Sequence, residues 1–194
     1  LKVIKRWSDR YPGHLPIYIQ LEPKEGFLPE LADAFFANLE SDILAVFPRR
    51  RVLTPDELQG GAATLPEAIA GGWPTLDQLR GRVLFNFDNR GDVRQAYTHQ
   101  LDDLHGRLCF VGSDPSDPFG AISILNYPTF DGAAIGAAVA AHSLVRTRAD
   151  EDGDQFRADD TTWLDAALPS GAHFISTDFT AAAQHLIDAL KDKP

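Results

Sequence analysis

Short runs of β-branched, aromatic and other apolar residues recur along the chain, and stretches with helical spacing of apolar positions lie between them. The apolar runs predict strands at residues 16–21, 83–88, 108–112, 122–126, 144–148 and 173–177. Helical spacing predicts helices at residues 31–47, 65–70, 75–79, from 131 onward, 161–167 and 181–190. Because strands and helices alternate, we expect an α/β fold with a parallel sheet.

Polar side chains stand where most of these predicted strands end. They are Glu22 and Lys24, Asn86 and Asp88, Asn126, Arg146, Arg148 and Asp150, and Ser176 and Asp178. In a parallel β/α barrel the C-terminal ends of the strands meet at one mouth, which is the usual place of chemistry. An open doubly wound sheet usually carries a glycine-rich phosphate turn after its first strand, and the sequence has none. We therefore expect a TIM-like barrel.

The number of strands bears on how such a barrel would close. A barrel of this type has eight strands, and six are predicted among the 194 residues. We expect a single domain over residues 1–194 that forms the C-terminal three-quarters of a barrel, with two βα units ahead of residue 1. The sequence begins with the pattern of a helix already under way and has neither Met nor a signal-peptide pattern. These features indicate a fragment, a processed chain or a shortened recombinant chain.

Composition and charge narrow the classes of function. A net charge of −10 argues against a nucleic-acid-binding surface, because phosphate backbones are bound by clustered Lys and Arg. One local cluster of cations in an acidic protein can still bind a phosphodiester. The six histidines form no cluster, and the sequence has no zinc, nucleophile-elbow or Walker motif. The single Cys109 lies in an apolar run, which predicts a buried structural thiol.

The first predicted strand ends in an acid and a base. Alternation places Gln20, Glu22 and Lys24 on one face of this strand. Burying a carboxylate beside an ammonium is costly unless both are paired or bind something else. One interpretation is a structural ion pair at the rim of the barrel. We favour the other, in which Glu22 binds a metal ion and Lys24 points at a phosphate.

The fifth predicted strand and the last one carry the remaining candidates. Arg146, Arg148 and Asp150 share one face, and two arginines so close repel each other unless an anion lies between them. The anion is either a substrate phosphate, which Arg binds in bidentate fashion, or Asp150 in an internal network. Ser176 and Asp178 are weaker candidates, because Ser-Thr-Asp before a helix is also an ordinary capping sequence.

Several segments resemble the calcium-dependent, phosphoinositide-specific phospholipase C-like proteins of bacteria and fungi. They are YPGHLPIYIQLEPK at residues 11–24, WPTL at 73–76 with LRGRVLF at 79–85, VRTRAD at 145–150 and SGAHFISTDF at 170–179. Their order and spacing hold over nearly the whole chain. The last two segments are fairly specific together, whereas either alone is a weak signal.

The resemblance implies a fold and a chemistry. The family has a TIM-like barrel and cleaves phosphatidylinositol-type lipids by attack of the inositol 2-hydroxyl on the adjacent phosphodiester, which releases a cyclic inositol phosphate. Ca²⁺ stabilises charge on the phosphate, and Glu22 matches the family's metal-binding glutamate. Lys24 and Arg148 are then implied as catalytic residues. The implied substrate-binding residues are Arg146, Asp150, Ser176 and Asp178.

The resemblance also implies what the chain lacks. The family's two catalytic histidines and its other calcium ligands belong to the first two βα units, so we expect this chain alone to be inactive and poorly folded, and an N-terminal segment of the same protein to complete the barrel. The substrate would lie at a membrane surface, and many family members are exported, which implies a secreted or periplasmic protein. The open alternatives are a glycerophosphodiester phosphodiesterase-like hydrolase and a catalytically silent phosphate- or lipid-binding module, with a glycosidase disfavoured by the cationic mouth.

Overall fold

The computed structural model describes residues 1–24, 28–98, 104–151 and 153–178. The strands in these ranges are β1 (Ile17–Leu21), β2 (Val52–Leu53), β3 (Val83–Phe87), β4 (Phe110–Val111), β5 (Ile122–Ile124), β6 (Leu144–Arg148) and β7 (Phe174–Ser176). The helices are α1 (Lys2–Arg10), α2 (Ala32–Val46), α3 (Pro55–Gln59), α4 (Leu65–Ala70), α5 (Leu76–Leu79), α6 (Gly91–Tyr97), α7 (Pro128–Ala140), α8 (Asp154–Arg157) and α9 (Thr162–Ala167). The helix predicted at residues 181–190 lies outside the described residues. Within the described ranges, no helix is both long and apolar enough to span a membrane.

The chain divides into two compact units, Leu1–Ile122 and Ser123–Pro194. The first unit contains a parallel sheet in which β1 lies alongside β3 over its whole length, with Gln20 opposite Asn86. The strand β2 pairs with the beginning of β3, and β4 pairs with its end. Strands β5, β6 and β7 follow one another in a second sheet, where β6 and β7 are parallel.

The core of the first unit lies between α2 and one face of β3. Phe85 and Phe87 point to this side and meet Phe47 and Phe36 of the helical segment, with ring centroids 6.1 and 5.7 Å apart respectively. All four rings are fully buried. Burying an aromatic side chain of this size contributes about 1.5–3 kcal/mol to the free energy of unfolding. The packing of these rings therefore stabilises this face of β3. The opposite face of β3 carries Asn86 and is free for polar groups.

The core of the second unit is smaller and aliphatic. Ile135 and Ala138 of α7 pack with Val145 of β6, and Leu125, Val139 and Ala172 close around them. Small alanine side chains let α7 lie close to the sheet, which explains why this helix is rich in Ala. The helix begins at Pro128 rather than at the predicted Asp131, because the Asp131 carboxylate instead accepts a hydrogen bond from the Tyr127 backbone N–H at 2.9 Å.

The expected α/β class with parallel strands is confirmed, and the six predicted strands are present, five of them shortened and β6 with the predicted bounds. One further strand, β2, has two residues, which is too short to produce an alternating pattern. The acidic segment that precedes α9 contains the one-turn helix α8. Thr75 caps the N-terminus of α5 in a capping box with Gln78. Cys109 is fully buried, and burial raises the pKa of its thiol to about 12.

Candidate functional site

Polar side chains of the first unit meet where β1 and β3 end. Tyr18 and Gln20 of β1 share one face of the sheet with Asn86 of β3, and Asp88 follows directly after β3. The Gln20 amide donates to Asp88 Oδ2 at 2.7 Å, and the Tyr18 hydroxyl donates to Gln20 Oε1 at 3.1 Å. Asn86 Nδ2 donates to the Tyr18 oxygen at 3.2 Å. We call these four residues the first-unit cluster.

Asn86 is the most enclosed member of the first-unit cluster, with 0% of its surface exposed. Its Nδ2 also donates to the Phe87 carbonyl at 3.1 Å. Because a carbonyl can only accept, this contact fixes which end of the amide is nitrogen. Among the described residues, the Asn86 Oδ1 atom has no hydrogen-bond donor. A buried acceptor without a donor lowers the free energy of unfolding by roughly 1–3 kcal/mol.

Glu22 and Lys24 extend from the end of β1. Lys24 Nζ donates to Glu22 Oε1 at 2.7 Å, and the side chains are 73% and 37% exposed for Lys24 and Glu22 respectively. The ion pair, one of the two interpretations of this segment, is therefore present, and both side chains are exposed because β1 ends at Leu21 and the chain leaves the sheet before either of them. An exposed pair of this kind contributes little to stability, about 0–1 kcal/mol. Both groups can exchange their partner for a ligand at small cost.

The fit of a calcium ion depends on the oxygen ligands that the chain offers. Ca²⁺ takes six to eight oxygen ligands, among which carboxylates are common. Glu22 is a carboxylate on the surface of the molecule, and it fits as one such ligand. The described part of the chain contains no group of three or more His, Cys, Asp or Glu side chains placed to hold a metal ion. Glu22 therefore fits a shared site to which other groups contribute.

In the second unit, a buried arginine joins the ends of three neighbouring strands. Arg146 of β6 donates through Nη1 to Asn126 Oδ1 at 2.5 Å and through Nη2 to Ser176 Oγ at 2.6 Å. Asn126 follows β5, Ser176 ends β7, and Arg146 is only 9% exposed. We call these three residues the second-unit cluster. The oxygens of Asn126 and Ser176 orient the guanidinium.

The other predicted residues of this unit have separate partners. Arg148 donates to Glu151 at 3.1 Å. Asp150 is buried, and its two oxygens accept from the Thr177 hydroxyl and from the Asp178 backbone N–H, the latter at 2.9 Å. Asp150 therefore anchors the turn that follows β7. The substrate-binding roles of Asp150 and Asp178 and the catalytic role of Arg148 stay predictions.

Two histidines take part in local structure away from these clusters. His173 precedes β7, and its Nδ1 accepts the Val145 backbone N–H at 3.0 Å. His14 contacts the Ser8 hydroxyl through Nε2 at 2.7 Å and the Leu15 carbonyl through Nδ1. Since the Leu15 carbonyl can only accept, His14 Nδ1 carries the proton, and its Nε2 accepts from Ser8. Each contact ties neighbouring segments of one unit together.

The sequence over residues 1–190 matches the family described as calcium-dependent phosphoinositide phospholipase C. The chain belongs to this family. The match confirms the resemblance drawn from the residue segments and shows the chain to be a member of a family of calcium-dependent, phosphodiester-cleaving enzymes. None of the curated proteins matches the chain.

Solved phospholipase structures show the same fold. A Ca²⁺-dependent phosphatidylinositol-specific phospholipase C from Streptomyces antibioticus aligns with a TM-score of 0.70 and 21% identity, over 94% of this chain and 70% of that enzyme. A calcium-dependent phosphoinositol-specific phospholipase C from Pseudomonas sp, described as an apo form and myoinositol complex, aligns with a TM-score of 0.65 and 20% identity. That alignment covers 90% of this chain and 63% of the Pseudomonas enzyme. The fold prediction is thus confirmed as a part of a phospholipase barrel.

The site residues predicted from the sequence are charged, apart from Ser176. Tyr18, Gln20 and Asn126 are absent from the predicted site, yet each holds a charged or buried member of a cluster in place. Gln20 shares the face of Glu22 in the strand alternation, which was the available signal. The role of Asn126 depends on the side-chain position of Arg146, which alternation alone does not give.

Proposed function

We propose that this chain is the larger part of a phospholipase that cleaves the phosphodiester of phosphatidylinositol-type lipids at a membrane surface, through a cyclic inositol phosphate. The observation that carries the proposal is Arg146, a buried cation of β6 that is oriented by the oxygens of Asn126 and Ser176, in a chain that belongs to this phospholipase family. The net charge of −10 makes a cation fixed in this way notable, because the protein as a whole repels anions.

Arg146 would bind the phosphodiester and stabilise the charge that develops on it. Its guanidinium is already oriented by Asn126 and Ser176, so little conformational freedom is lost when an anion binds. An arginine presents a planar fork of donors that suits phosphate oxygens. Donors that are oriented before the reaction are among the largest contributions to catalysis.

Glu22 would contribute one ligand to the calcium ion, and Lys24, released from Glu22, would approach the phosphate. The bound ion supplies a positive charge that stabilises the developing charge on the phosphate oxygens. Arg148 would act as a further catalytic cation, and Ser176 would contact the substrate together with Arg146. The Pseudomonas relative, described as a myoinositol complex, supports an inositol headgroup as the substrate.

A further polypeptide segment would complete the fold and supply the general acid and base. In the described structure β1 pairs with β3 and lies at one end of the strand order, so it forms an edge of its sheet. Such an edge favours the addition of another strand. The solved relatives are longer than the aligned region, which supports such a segment. We also propose that the protein is secreted or periplasmic, as many members of the family are exported, and that this chain alone is inactive.

The test is cleavage of phosphatidylinositol vesicles by the full gene product, with calcium and then with a chelator. Release of inositol phosphate that stops on chelation and falls in Glu22→Gln would support the proposal. Glu30→Gln is the matched control, because Glu30 is an exposed glutamate outside the site. Calcium affinity measured by titration should fall in the first variant and remain in the second. If a folded gene product leaves the lipid intact under both conditions, the proposal is wrong. Hydrolysis of glycerophosphodiesters would then favour a glycerophosphodiester phosphodiesterase-like hydrolase.

A further inference from the structure

A cationic surface lies at the end of the first unit that is away from the first-unit cluster. Its five side chains are exposed, and we call them the basic face: Lys2, Arg6, Arg10, Arg49 and Arg50. They belong to α1, which precedes β1, and to the turn that leads into β2. We propose that the basic face binds an acidic surface on a second copy of this chain. Such an association does not depend on the proposed function.

Contacts of Arg51 bring the two parts of the basic face together. Arg51 directly follows Arg49 and Arg50, and its Nη1 lies 3.6 Å from Asp9 Oδ1. Its Nη2 donates to the Ser8 hydroxyl. Because Ser8 and Asp9 belong to α1, these contacts hold the turn before β2 alongside that helix. The cations of the two segments therefore form one surface.

The basic face is not neutralised by the carboxylates around it. The other cations at this end of the unit are paired, namely Lys5 with Asp9, Arg80 with Asp77, and Arg82 with Glu57. Glu57 feels the charge of Arg49, but its carboxylate is bound to Arg82. In the described part of the chain, no carboxylate forms an ion pair with any of the five cations of the basic face. Their charge is available to a partner.

The stability of α1 does not account for these charges. A spacing of four residues places Lys2, Arg6 and Arg10 along one side of the helix, where like charges repel each other. Lys2 lies in the first turn, where the helix dipole disfavours a cation and where α1 has no acid. Only Arg10, in the last turn, has a favourable position relative to the dipole. An anionic partner would offset the repulsion along this row.

The second unit carries exposed carboxylates that complement the basic face. They are Asp159, Asp160 and Asp165, and we call them the acidic face. Asp160 Oδ1 accepts from the Thr162 backbone N–H at 2.8 Å, and Asp165 Oδ2 accepts from the Thr161 hydroxyl at 2.8 Å. Two of the three carboxylates are thus held in place by neutral donors. Within the ranges that the structure describes, none of the three forms an ion pair.

Complementary charge favours a second copy over a membrane as the partner. The acidic face of one molecule can meet the basic face of the next, and a contact between two different surfaces can add further copies head to tail. An anionic membrane would also attract the basic face. However, the basic face precedes β1 and β2, whereas Glu22 and Lys24 follow the other end of β1. A membrane held there would lie at the wrong end of the strand for the proposed lipid cleavage.

The first experiment is sedimentation velocity of the full gene product at two salt concentrations. At an ionic strength of about 0.01 M charges act over about 30 Å, and at about 1 M over about 3 Å. We expect the weight-average sedimentation coefficient to rise with protein concentration at low salt and to stay constant at high salt. Arg10→Glu should weaken the association more than Arg90→Glu, the same charge change at an exposed position before α6. A gene product that stays monomeric at low salt, or equal effects of the two variants, would overturn the inference.

The second experiment reverses each face and then mixes the two variants. Arg6→Glu with Arg10→Glu reverses the basic face, and Asp159→Lys with Asp160→Lys reverses the acidic face. We expect each variant alone to be monomeric at low salt. In the mixture, the natural acidic face of the first variant can meet the natural basic face of the second, so a 1:1 complex should form and grow no further.

Circular dichroism establishes that both double variants are folded. Folded variants that form no complex when mixed would contradict the contact between copies, and association that persists in each variant alone would place the contact on another surface. The same proteins are also sedimented with vesicles of anionic lipid. If the natural protein stays monomeric but binds these vesicles, and the variant with the reversed basic face does not, the basic face is a membrane contact and the inference is wrong. None of these measurements involves lipid cleavage, so their outcome is separate from that of the proposed function.

Discussion

The two polar clusters lie at equivalent places in their own sheets, at the C-terminal ends of parallel strands, and they have opposite electrostatic character. The first-unit cluster combines two amides and a hydroxyl with the carboxylate of Asp88. In the second-unit cluster, the guanidinium of Arg146 donates to the side-chain oxygens of Asn126 and Ser176. The first therefore suits hydroxyl groups, and the second suits an anion.

The difference shows that the ends of parallel strands can carry opposite electrostatic character in the two sheets of one chain. In each cluster, neutral side chains hold the charged group in a fixed orientation. Exposed charges nearby pair with each other instead, as Glu22 does with Lys24. The four predictions below alter the support, the charge or the orientation of these clusters and are ordered by the size of the expected effect.

The largest effect should follow from removing Phe36, which supports β3 behind the first-unit cluster. Its buried ring meets those of Phe87 and Tyr97 with centroids 5.7 and 4.9 Å apart. Phe36→Ala should lower the free energy of unfolding by about 3–5 kcal/mol, measured by denaturant titration. Phe35→Ala is the matched control, because Phe35 is 38% exposed and leaves a smaller cavity. Equal losses in the two variants would contradict the packing argument.

Removing the charge of the second-unit cluster should have the next largest effect. Arg146→Met keeps much of the length and volume of the side chain but abolishes the cation. We expect the rate of phosphatidylinositol cleavage by the full gene product to fall by a factor on the order of 10²–10³. Arg146→Lys keeps the charge without the planar fork and should lie between Met and the natural residue. An Arg146→Met enzyme of undiminished rate would show that the buried cation has no part in catalysis.

A smaller effect should follow when Arg146 keeps its charge but loses one of its supports. Asn126→Ala removes the acceptor for Nη1, while Ser176 still holds Nη2. We expect cleavage to fall by about tenfold, since one neutral or charge-assisted hydrogen bond is worth roughly 1–2 kcal/mol. Asn126→Asp should weaken substrate binding further despite restoring the contact, because the new carboxylate neutralises the guanidinium. If Asn126→Asp binds substrate as well as the natural protein, the neutrality of the support is unimportant.

The sequence predicted the larger elements and missed the features that depend on side-chain position. Alternating apolar runs located β1, β3 and β6 to within a residue or two, because a buried strand requires such a run. The two-residue strand β2 and the short helix α8 are too brief to give a period. The helix α7 begins at Pro128 and not at the predicted Asp131, whose carboxylate accepts a hydrogen bond from the Tyr127 backbone N–H.

The side-chain contacts of the candidate site were predicted only in part, because contacts between distant segments are not visible in a sequence. Charged residues at strand ends are visible in a sequence, so Arg146 and Glu22 were found. Lys24 was also named as a partner of Glu22, but the contacts of Arg146 were not predicted: alternation suggested that Asp150 faces the arginines, whereas the turn after β7 engages both Asp150 oxygens. Asn126 and Ser176 meet Arg146 across strands that are distant in sequence, and only the folded sheet brings them together.

The smallest expected effect concerns pH and the second unit, where His173 accepts the Val145 N–H. Burial lowers the pKa of the His173 imidazole below its ordinary value of 6.5. The unfolded chain therefore binds more protons than the folded chain in the window from the lowered pKa up to about 6.5. The free energy of unfolding should fall as the pH drops through this window and level off below it.

His173→Gln separates this contribution from other titrating groups. The glutamine oxygen can accept the same N–H and does not titrate, so the fall in stability within this window should shrink, as measured by denaturant titration at several pH values. His105→Gln serves as the control, because the His105 side chain is 88% exposed. An unchanged pH profile in His173→Gln would mean that protonation leaves the bond between His173 and Val145 intact. The imidazole would then have turned its other nitrogen toward the Val145 N–H or moved out to solvent. The contact between His173 and Val145 would then not be required for the pairing of β6 with β7.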